Sequence, residues 1–276
     1  MGFMSPGQVV WFEIGTTDPQ AVAGFYGPVL GWSFEVDEDS SIDGRTYTRI
    51  LAPGAPWPMG AVQQGDTGGE SVNLSILSSD VRADVDRLTG LGAAVAVPAT
   101  QVADVTVFAR LADPRGNLFS LFSQSDSERF EERIAEAGEY MEQAASAPPP
   151  GSPAGFEIGT ADAQATADFY TAAFGWRFEK TGTADGTPCQ AVYGPGAEHP
   201  SGLLRDYGGR TGAVDYAMPV FLVADAAATA RAARERGAEV ERPPSAEPGG
   251  PVRARIRDPR GRRFGLLARP ARQPAG

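Results

Sequence analysis

The sequence predicts an α+β protein of two similar domains, each built from two β-α-β-β-β units. The first observation is a repeat: the segment Phe12–Thr16 recurs as Phe156–Thr160. The second is hydrophobic periodicity, which alternates between strand and helix spacing in the same order in both halves. Such a repeat indicates a duplicated domain. Further matches follow in register, namely Phe25-Tyr26 with Phe169-Tyr170, Gly31-Trp32 with Gly175-Trp176, and Asp113-Pro114-Arg115-Gly116 with Asp258-Pro259-Arg260-Gly261.

The first unit begins with a strand from Gln8 to Gly15, on which Trp11, Glu13 and Gly15 share one face and Phe12 and Ile14 share the other. Asp18 is predicted to cap the helix that follows, and Pro19 suits its first turn. Gly31 is expected to end this helix in the left-handed conformation. Three further strands are predicted over Trp32–Val36, Tyr47–Leu51 and Gly60–Gln64.

The second unit repeats this order. Ser79 or Asp80 is predicted to cap its helix, and Gly92 to end it. Asp113-Pro114-Arg115-Gly116 has the signature of a type I turn, so we expect it to be a hairpin tip. The strands are predicted over Val72–Leu77, Ala93–Val97, Val105–Leu111 and Asn117–Phe122.

A linker separates the halves. Ser125 and Glu128 form a capping box for a predicted acidic helix, and a Pro-rich stretch from Ala147 to Pro153 follows it. We therefore place the first domain at 1–124, the linker helix and connector at 125–153, and the second domain at 154–276. In the second domain, helices are predicted over Asp162–Phe174 and Asp225–Arg236, and strands over Phe156–Thr160, Trp176–Lys180, Cys189–Tyr193, Gly202–Arg205, Tyr216–Val223, Glu239–Arg242, Val252–Arg257 and Arg263–Leu267.

Composition disfavours several classes of partner. The formal net charge is −11, which argues against nucleic acid, because its phosphates repel an acidic protein. The apolar runs are too short to span a bilayer, and residues 1–6 do not resemble a signal peptide, so we expect no membrane partner. A single cysteine, Cys189, precludes an intrachain disulfide and fits a cytoplasmic protein.

The duplicated pattern of Phe-Tyr, four residues and Gly-Trp, in register with the Asp-Pro-Arg-Gly turns, resembles the vicinal oxygen chelate superfamily. This group includes glyoxalase I, bleomycin and fosfomycin resistance proteins and extradiol dioxygenases. The chain is most similar to the tandem two-domain members common in actinobacteria, and the resemblance covers nearly all of it. It implies tandem vicinal-oxygen-chelate domains, in each of which two units form a curled mixed sheet around a cleft.

The resemblance also implies where a metal would bind. Members hold a divalent metal with His and Glu side chains of the cleft strands. A metal site needs about three protein ligands, whereas the only histidine, His199, lies in a predicted loop. We therefore expect neither a metal nor another cofactor. On the first and final strands, the ligand positions correspond to Trp11 and Ser120 in the first half and to Gly155 and Gly265 in the second. On the other two strands they fall, to within about one residue, near Leu74 and Gln63 in the first half and near Pro219 and Arg205 in the second.

Two carboxylates are candidate general bases. Glu13 shares a strand face with Trp11 and should face the first cleft, and Glu157 should face the second. A carboxylate among apolar side chains can have a raised pKa and accept a proton from a substrate. The alternative is that each carboxylate only accepts hydrogen bonds from an arginine or a backbone amide of the cleft wall.

Other cleft residues are candidate ligand contacts. Trp11, Tyr47 and Trp57 could form an aromatic wall that stacks on a planar ligand, or could be ordinary packing. Arg49 shares a strand face with Tyr47 and could bind a ligand anion. The remaining candidates are Gln63, Tyr193, His199 and Arg205, whereas Tyr26 and Tyr170 are expected in the core.

Two functions stay open on the sequence. One is metal-independent binding of a planar or aromatic metabolite or antibiotic, in the manner of the bleomycin resistance proteins. The alternative is a glyoxalase-like lyase or isomerase, or a hydroxylase-like enzyme, with Glu13 or Glu157 as general base. Either way we expect a small-molecule ligand and a monomer or homodimer, and whether the protein is an enzyme is undecided.

Overall fold

The computed structural model describes residues 5–42, 45–65, 69–102, 106–124, 148–184, 186–208, 210, 214–246 and 250–269. The first half contains β1 (Val9–Thr16), α1 (Pro19–Leu30), β2 (Ser33–Ile42), β3 (Arg45–Leu51), β4 (Gly60–Gln64), β5 (Ser71–Leu77), α2 (Val81–Gly90), β6 (Ala94–Val102), β7 (Thr106–Ala112) and β8 (Leu118–Gln124). The second half contains β9 (Pro153–Thr160), α3 (Ala163–Phe174), β10 (Arg177–Ala184), β11 (Thr187–Tyr193), β12 (Gly202–Asp206), β13 (Tyr216–Leu222), α4 (Ala226–Glu235), β14 (Glu239–Ser245), β15 (Val252–Arg257) and β16 (Arg263–Ala268).

The strands form two eight-stranded mixed sheets, as predicted. The first has the order β2-β3-β4-β1-β5-β8-β7-β6, and the second the equivalent order β10-β11-β12-β9-β13-β16-β15-β14. In each sheet the two units join through their first strands, β1 with β5 and β9 with β13, which pair antiparallel. The α+β fold of two duplicated units per half is therefore confirmed.

Helix ends follow the predicted signals. Asp18 caps α1 by accepting a hydrogen bond from the Ala21 amide, 3.0 Å away, and Gly31 ends it with φ +75°. Of the two candidate caps of α2, Asp80 is the one used. The predicted linker helix lies outside the described residues, and β9 begins at Pro153, within the predicted connector.

The outermost strands are longer than predicted. β2, β6, β10 and β14 each bond to a single neighbour, at the edge of a sheet. Their ends are rich in polar residues because much of their surface faces water, so the hydrophobic alternation that marks a strand fades there. Backbone hydrogen bonding to the neighbouring strand continues past the residues that show this alternation. None of the described helices has the length and apolar character needed to span a membrane.

The hydrophobic cores form between the halves. One core joins Phe12, Ile14 and the buried side of α1 to Phe221, Phe264 and other residues of the fourth unit. A second core joins Leu74, Leu121 and other residues of the second unit to the third unit. Each sheet thus turns one face toward the opposite half, and the other face is free for a site.

The repeated motifs meet across these cores. Tyr26 on α1 donates a hydrogen bond to Asp258 of the second Asp-Pro-Arg-Gly turn, 3.1 Å away. In the symmetric contact, Tyr170 on α3 donates to Asp113 of the first turn at 3.0 Å. Both tyrosines are 2 % exposed, which confirms them as core residues. The turns are hairpin tips, as predicted, and they also accept these bonds from the other half.

Candidate functional site

One face of the first sheet carries polar side chains, and we call it the first cleft. Phe12 and Ile14 of β1 point into the core, so Trp11 and Glu13 point into this cleft. Residues directly opposite in neighbouring strands point to the same side. The strand register therefore adds to this face Tyr47, Arg49, Gln63, Asn73, Ser75, Arg110 and Ser120.

Glu13 lies at the centre of the first cleft and is 6 % exposed. The Ser120 hydroxyl donates a hydrogen bond to Glu13 Oε2 at 3.0 Å, and Arg110 Nη2 lies 3.4 Å from the same oxygen. Burial raises the pKa of Glu13 above its ordinary value, although Arg110 and Ser120 act in the opposite direction. Glu13 thus combines both properties considered from the sequence: it is hydrogen-bonded in the wall and biased toward its protonated form.

Aromatic and amide groups flank Glu13. The Trp11 indole donates a hydrogen bond to the Tyr47 hydroxyl, and the pKa of Tyr47 is raised by burial and by the negative charge of Glu13. The Gln63 carbonyl oxygen accepts a hydrogen bond from Arg110 Nη2 at 3.0 Å. The structure therefore brings Trp11, Tyr47 and Gln63 together around Glu13.

Two other candidates of the first half are placed differently. Arg49 binds Asp37 through Nε and Nη2, at 3.0 and 2.6 Å from Oδ2, so it is engaged by a carboxylate of its own sheet. Trp57 lies half-buried in the loop between β3 and β4. Of the three residues in the predicted aromatic wall, Trp11 and Tyr47 are in contact on the cleft face, whereas Trp57 lies in the loop.

The equivalent face of the second sheet, the second cleft, is an ion-pair network. Glu157 Oε2 lies 2.8 Å from Arg205 Nε, and Glu157 Oε1 accepts a hydrogen bond from Tyr216 at 2.7 Å. The Tyr216 hydroxyl also contacts Tyr207 at 2.9 Å, and Arg255 donates to Tyr207 at 2.9 Å. Burial and the charge of Glu157 raise the pKa of Tyr216.

This network fills the second cleft. The space enclosed by Glu157, Arg205 and Arg255 is about 10 Å³, which is about the volume that one water needs. The Tyr216 ring lies against Gly159, where a Cβ would collide with it, and Val220 occupies the space next to Gly265. Side chains of the chain itself therefore occupy this cleft.

The last two candidates lie at the margin of the second half. Tyr193 stacks under the Arg177 guanidinium, which is 4.4 Å from the ring centroid. His199 is exposed in the loop between β11 and β12. Neither residue joins the network around Glu157, whereas Arg205, 1 % exposed, lies at its centre.

The positions that correspond to the metal ligands do not fit a metal. Leu74 pairs with Phe12 and Pro219 with Phe156, so both face the cores, and the ligand positions near them fall on the cleft-facing residues to either side. The residues that face the clefts beside them are hydroxyl, amide and apolar groups. In the described part of the chain, no three His, Cys, Asp or Glu residues are grouped as metal ligands.

Sequence reasoning missed Asn73, Ser75, Arg110 and Tyr216 as cleft residues. A signal exists on β5, where Ser71, Asn73 and Ser75 alternate with apolar residues. Such alternation marks a strand with one polar face. The partners of Arg110 and Tyr216 could not be found this way, because they come from strands that are distant in sequence.

Comparisons with known proteins agree with this architecture. Residues 10–122 match the model of the "Glyoxalase-like domain", and residues 153–266 match that of the "Glyoxalase/Bleomycin resistance protein/Dioxygenase superfamily". The anthracycline biosynthesis protein DnrV of Streptomyces peucetius is 29 % identical over 95 % of this chain and 94 % of its own length.

Solved structures with the same fold include a glyoxalase and a dioxygenase. The Mn(II)-bound glyoxalase from Novosphingobium aromaticivorans has a TM-score of 0.59 at 16 % identity, and covers 95 % of this chain and 82 % of its own. The 2,3-dioxygenase LapB from Pseudomonas sp. KL28 has a TM-score of 0.56 at 16 % identity, with 97 % and 93 % covered. At this identity the likeness extends to the fold alone.

Proposed function

The chain belongs to the glyoxalase/bleomycin resistance protein/dioxygenase superfamily, and we propose that it binds a planar aromatic natural product in its first cleft without a metal. The observation that carries this proposal is the group of Trp11, Tyr47 and Glu13 on one cleft face. Indole and phenol rings stack on planar ligands, and a buried carboxyl can bind a hydroxyl or amine. We further propose that the protein acts in the cytoplasm as a monomer or homodimer.

The curated relatives support this ligand class. A protein that matches almost end to end is named for anthracycline biosynthesis. Anthracyclines are fused-ring aromatic quinones, which agrees with the planar ligand expected from the aromatic side chains. The chemistry of the donors supports metal independence, because the first cleft offers Trp11, Ser75, Ser120 and Gln63 at or beside the positions that resemble the superfamily's metal-ligand positions.

Titration with doxorubicin, a fluorescent anthracycline, tests the proposal. We expect saturable binding in excess EDTA, and about fivefold weaker binding in Trp11→Leu, because one stacked aromatic contact is worth about 1 kcal/mol. His199→Ala, altered in an exposed loop of the second half, should bind as the wild type does. Absence of binding by the wild-type protein, or equal binding by Trp11→Leu, would contradict the proposal.

A second candidate function is general-base catalysis by Glu13. The observation that favours it is the raised pKa of this buried carboxyl, which brings proton transfer closer to neutral pH. Glu157 fits this role less well, because Arg205 and Tyr216 occupy both of its oxygens. If turnover of a bound quinone or ketone is found, Glu13→Gln should abolish it while binding persists. Turnover that survives in Glu13→Gln would exclude this function.

A further inference from the structure

We infer that the first cleft recognises a ring edge on which a hydroxyl stands next to a carbonyl, as in a hydroxyquinone. This inference rests on the proposed function and adds which part of the ligand is read and by which residues. Three buried polar atoms of the cleft carry it. They are Asn73 Oδ1, Ser75 Oγ and Arg110 Nε, none of which is hydrogen-bonded within the described part of the chain.

These atoms are deeply buried and close to Glu13. Asn73 is 0 % exposed and pairs with Glu13 across the β1–β5 ladder, while Ser75 is 1 % exposed and pairs with Trp11. Arg110 reaches Glu13 and Gln63 through Nη2, which leaves its Nε as a donor. Buried polar groups are nearly always hydrogen-bonded in native proteins, so three exceptions on one face indicate a place for hydrogen-bonding groups from outside the chain.

The kinds of atom define the ligand edge. Asn73 Oδ1 can only accept, so the ligand must present a donor such as a hydroxyl. Arg110 Nε can only donate, so the ligand must also present an acceptor such as a carbonyl. Ser75 can do either. A hydroxyl adjacent to a carbonyl on a flat ring supplies both groups in one plane, and Trp11 and Tyr47 supply the stacking surface.

The second cleft shows that the fold does not require these polar groups. In its sheet, Met218 pairs with Glu157 and Val220 pairs with Gly155, so apolar side chains occupy the positions of Asn73 and Ser75. Gly265 stands where the first half has Ser120. Two sheets with the same strand order thus differ at these positions, which carry polar side chains in the first cleft and apolar side chains or glycine in the second.

A groove of about 210 Å³ lies beside Asn73. It runs between the halves, and its lining includes Ser71, Asn73, Leu118 and Tyr216. Because Asn73 also pairs with Glu13, it lies between this groove and the centre of the first cleft.

Two water-soluble dyes test the inference on the full chain in excess EDTA. Alizarin red S carries hydroxyls next to a quinone carbonyl, and anthraquinone sulfonate has the same ring system without hydroxyls. We expect alizarin red S to bind at least about tenfold more tightly, a difference of about 1.4 kcal/mol that one added net hydrogen bond can supply. In Ser75→Ala and Asn73→Ala this preference should fall to about threefold or less.

Stability measurements separate ligand recognition from a structural role. Removing a buried polar group that has no partner is neutral or stabilising, so Ser75→Ala should keep or raise the urea midpoint while it loses dye selectivity. Exposed Ser79→Ala is the matched control and should change neither property. A lower midpoint with unchanged selectivity would assign Ser75 to structural water and overturn the inference.

The remaining outcomes separate this inference from the proposed function. Equal affinity for the two dyes, with no effect of either variant, would overturn the hydroxyquinone inference and leave aromatic binding in place. If neither dye nor doxorubicin binds, both proposals fail together.

Discussion

Glu13 and Glu157 occupy equivalent positions on β1 and β9, yet their surroundings give them different properties. Glu157 is held by a guanidinium at 2.8 Å and a tyrosine hydroxyl at 2.7 Å. Glu13 has one hydroxyl donor and an arginine at the limit of hydrogen bonding, 3.4 Å away. Desolvation therefore dominates at Glu13, and we expect its ionisation to be linked to the stability of the fold.

This linkage gives a pH prediction for Glu13→Gln. The pKa of Glu13 is raised above its ordinary value of 4.5, so the folded state keeps this proton to a higher pH than the unfolded chain does. The associated stability is complete below the unfolded pKa and is lost as pH rises through the folded pKa. Glu13→Gln avoids the loss and should melt at a higher temperature than the wild type at neutral pH, with the difference shrinking toward about pH 4.

Melting curves across this pH range check the prediction. Exposed Glu35→Gln is the control, and its difference from the wild type should not depend on pH in the same way. Parallel curves for Glu13→Gln and the wild type would show that Glu13 titrates as an ordinary surface carboxyl, which would also remove the argument for general-base catalysis.

Residue positions in the clefts could be predicted from the sequence, but their partners could not. Strand alternation puts Glu13 and Trp11 on one strand face, to which the strand register adds Tyr47. It could not show that Arg49 pairs with Asp37 or that Tyr216 occupies the space over Gly159, because these contacts depend on neighbouring strands and on their register. A register predicted to within about one residue also could not show that Leu74 and Pro219 face the cores, since strand side chains alternate.

At the level of elements, the motifs that reveal the duplication form an interlocking pair. Asp113 accepts backbone bonds from Arg115 and Asn117 within its own turn, and its second oxygen accepts the Tyr170 hydroxyl from α3. Asp258 likewise accepts backbone hydrogen bonds within its own turn, and its second oxygen accepts the Tyr26 hydroxyl from α1. The helix motif and the turn motif are thus two sides of one buried contact, which occurs twice.

Tyr26→Phe and Tyr170→Phe should each destabilise the protein by about 1–3 kcal/mol, because each leaves a buried carboxylate with one donor fewer. Urea unfolding should show the loss as a lower midpoint with an unchanged slope. Since the two contacts lie in separate cores, the double variant should lose the sum within about 0.5 kcal/mol. Tyr193→Phe, which alters a tyrosine at the cleft margin, is the control and should be nearly neutral.

The strand and helix order of both halves was predictable because hydrophobic period, Asp caps and C-terminal glycines agree with one another. The pairing of elements across the halves was not. The pattern on α1 shows that Val22, Phe25 and Tyr26 are buried, but not that they pack against the fourth unit rather than only on their own sheet. Periodicity identifies a buried face and carries no information about what covers it.

For the whole molecule, the shared cores imply that the halves depend on each other. The contacts of Gly7 and Gly151 show how closely the two halves pack against each other. The Trp32 indole donates to the Gly151 carbonyl at 2.9 Å, and the Trp176 indole donates to the Gly7 carbonyl at 2.7 Å. Gly151 has φ +92°, and a Cβ there would collide with the Leu30 carbonyl, so its backbone is fixed against the first half. The predicted domain boundary at 154 separates this glycine from the strand that it precedes.

Fragment complementation tests this dependence. Residues 1–124 and 148–276, expressed separately, should each lack a cooperative melting transition, because each alone exposes one side of both cores. Mixed, they should form a stable complex and regain the transition. A second fragment that begins at 154 lacks Gly151 and the Trp32 hydrogen bond, so it should complement more weakly, by about fivefold in affinity for a bond worth roughly 1 kcal/mol. A monomeric half that melts cooperatively by itself would show instead that each domain folds independently, and equal complementation by both second fragments would place the functional boundary after Gly151.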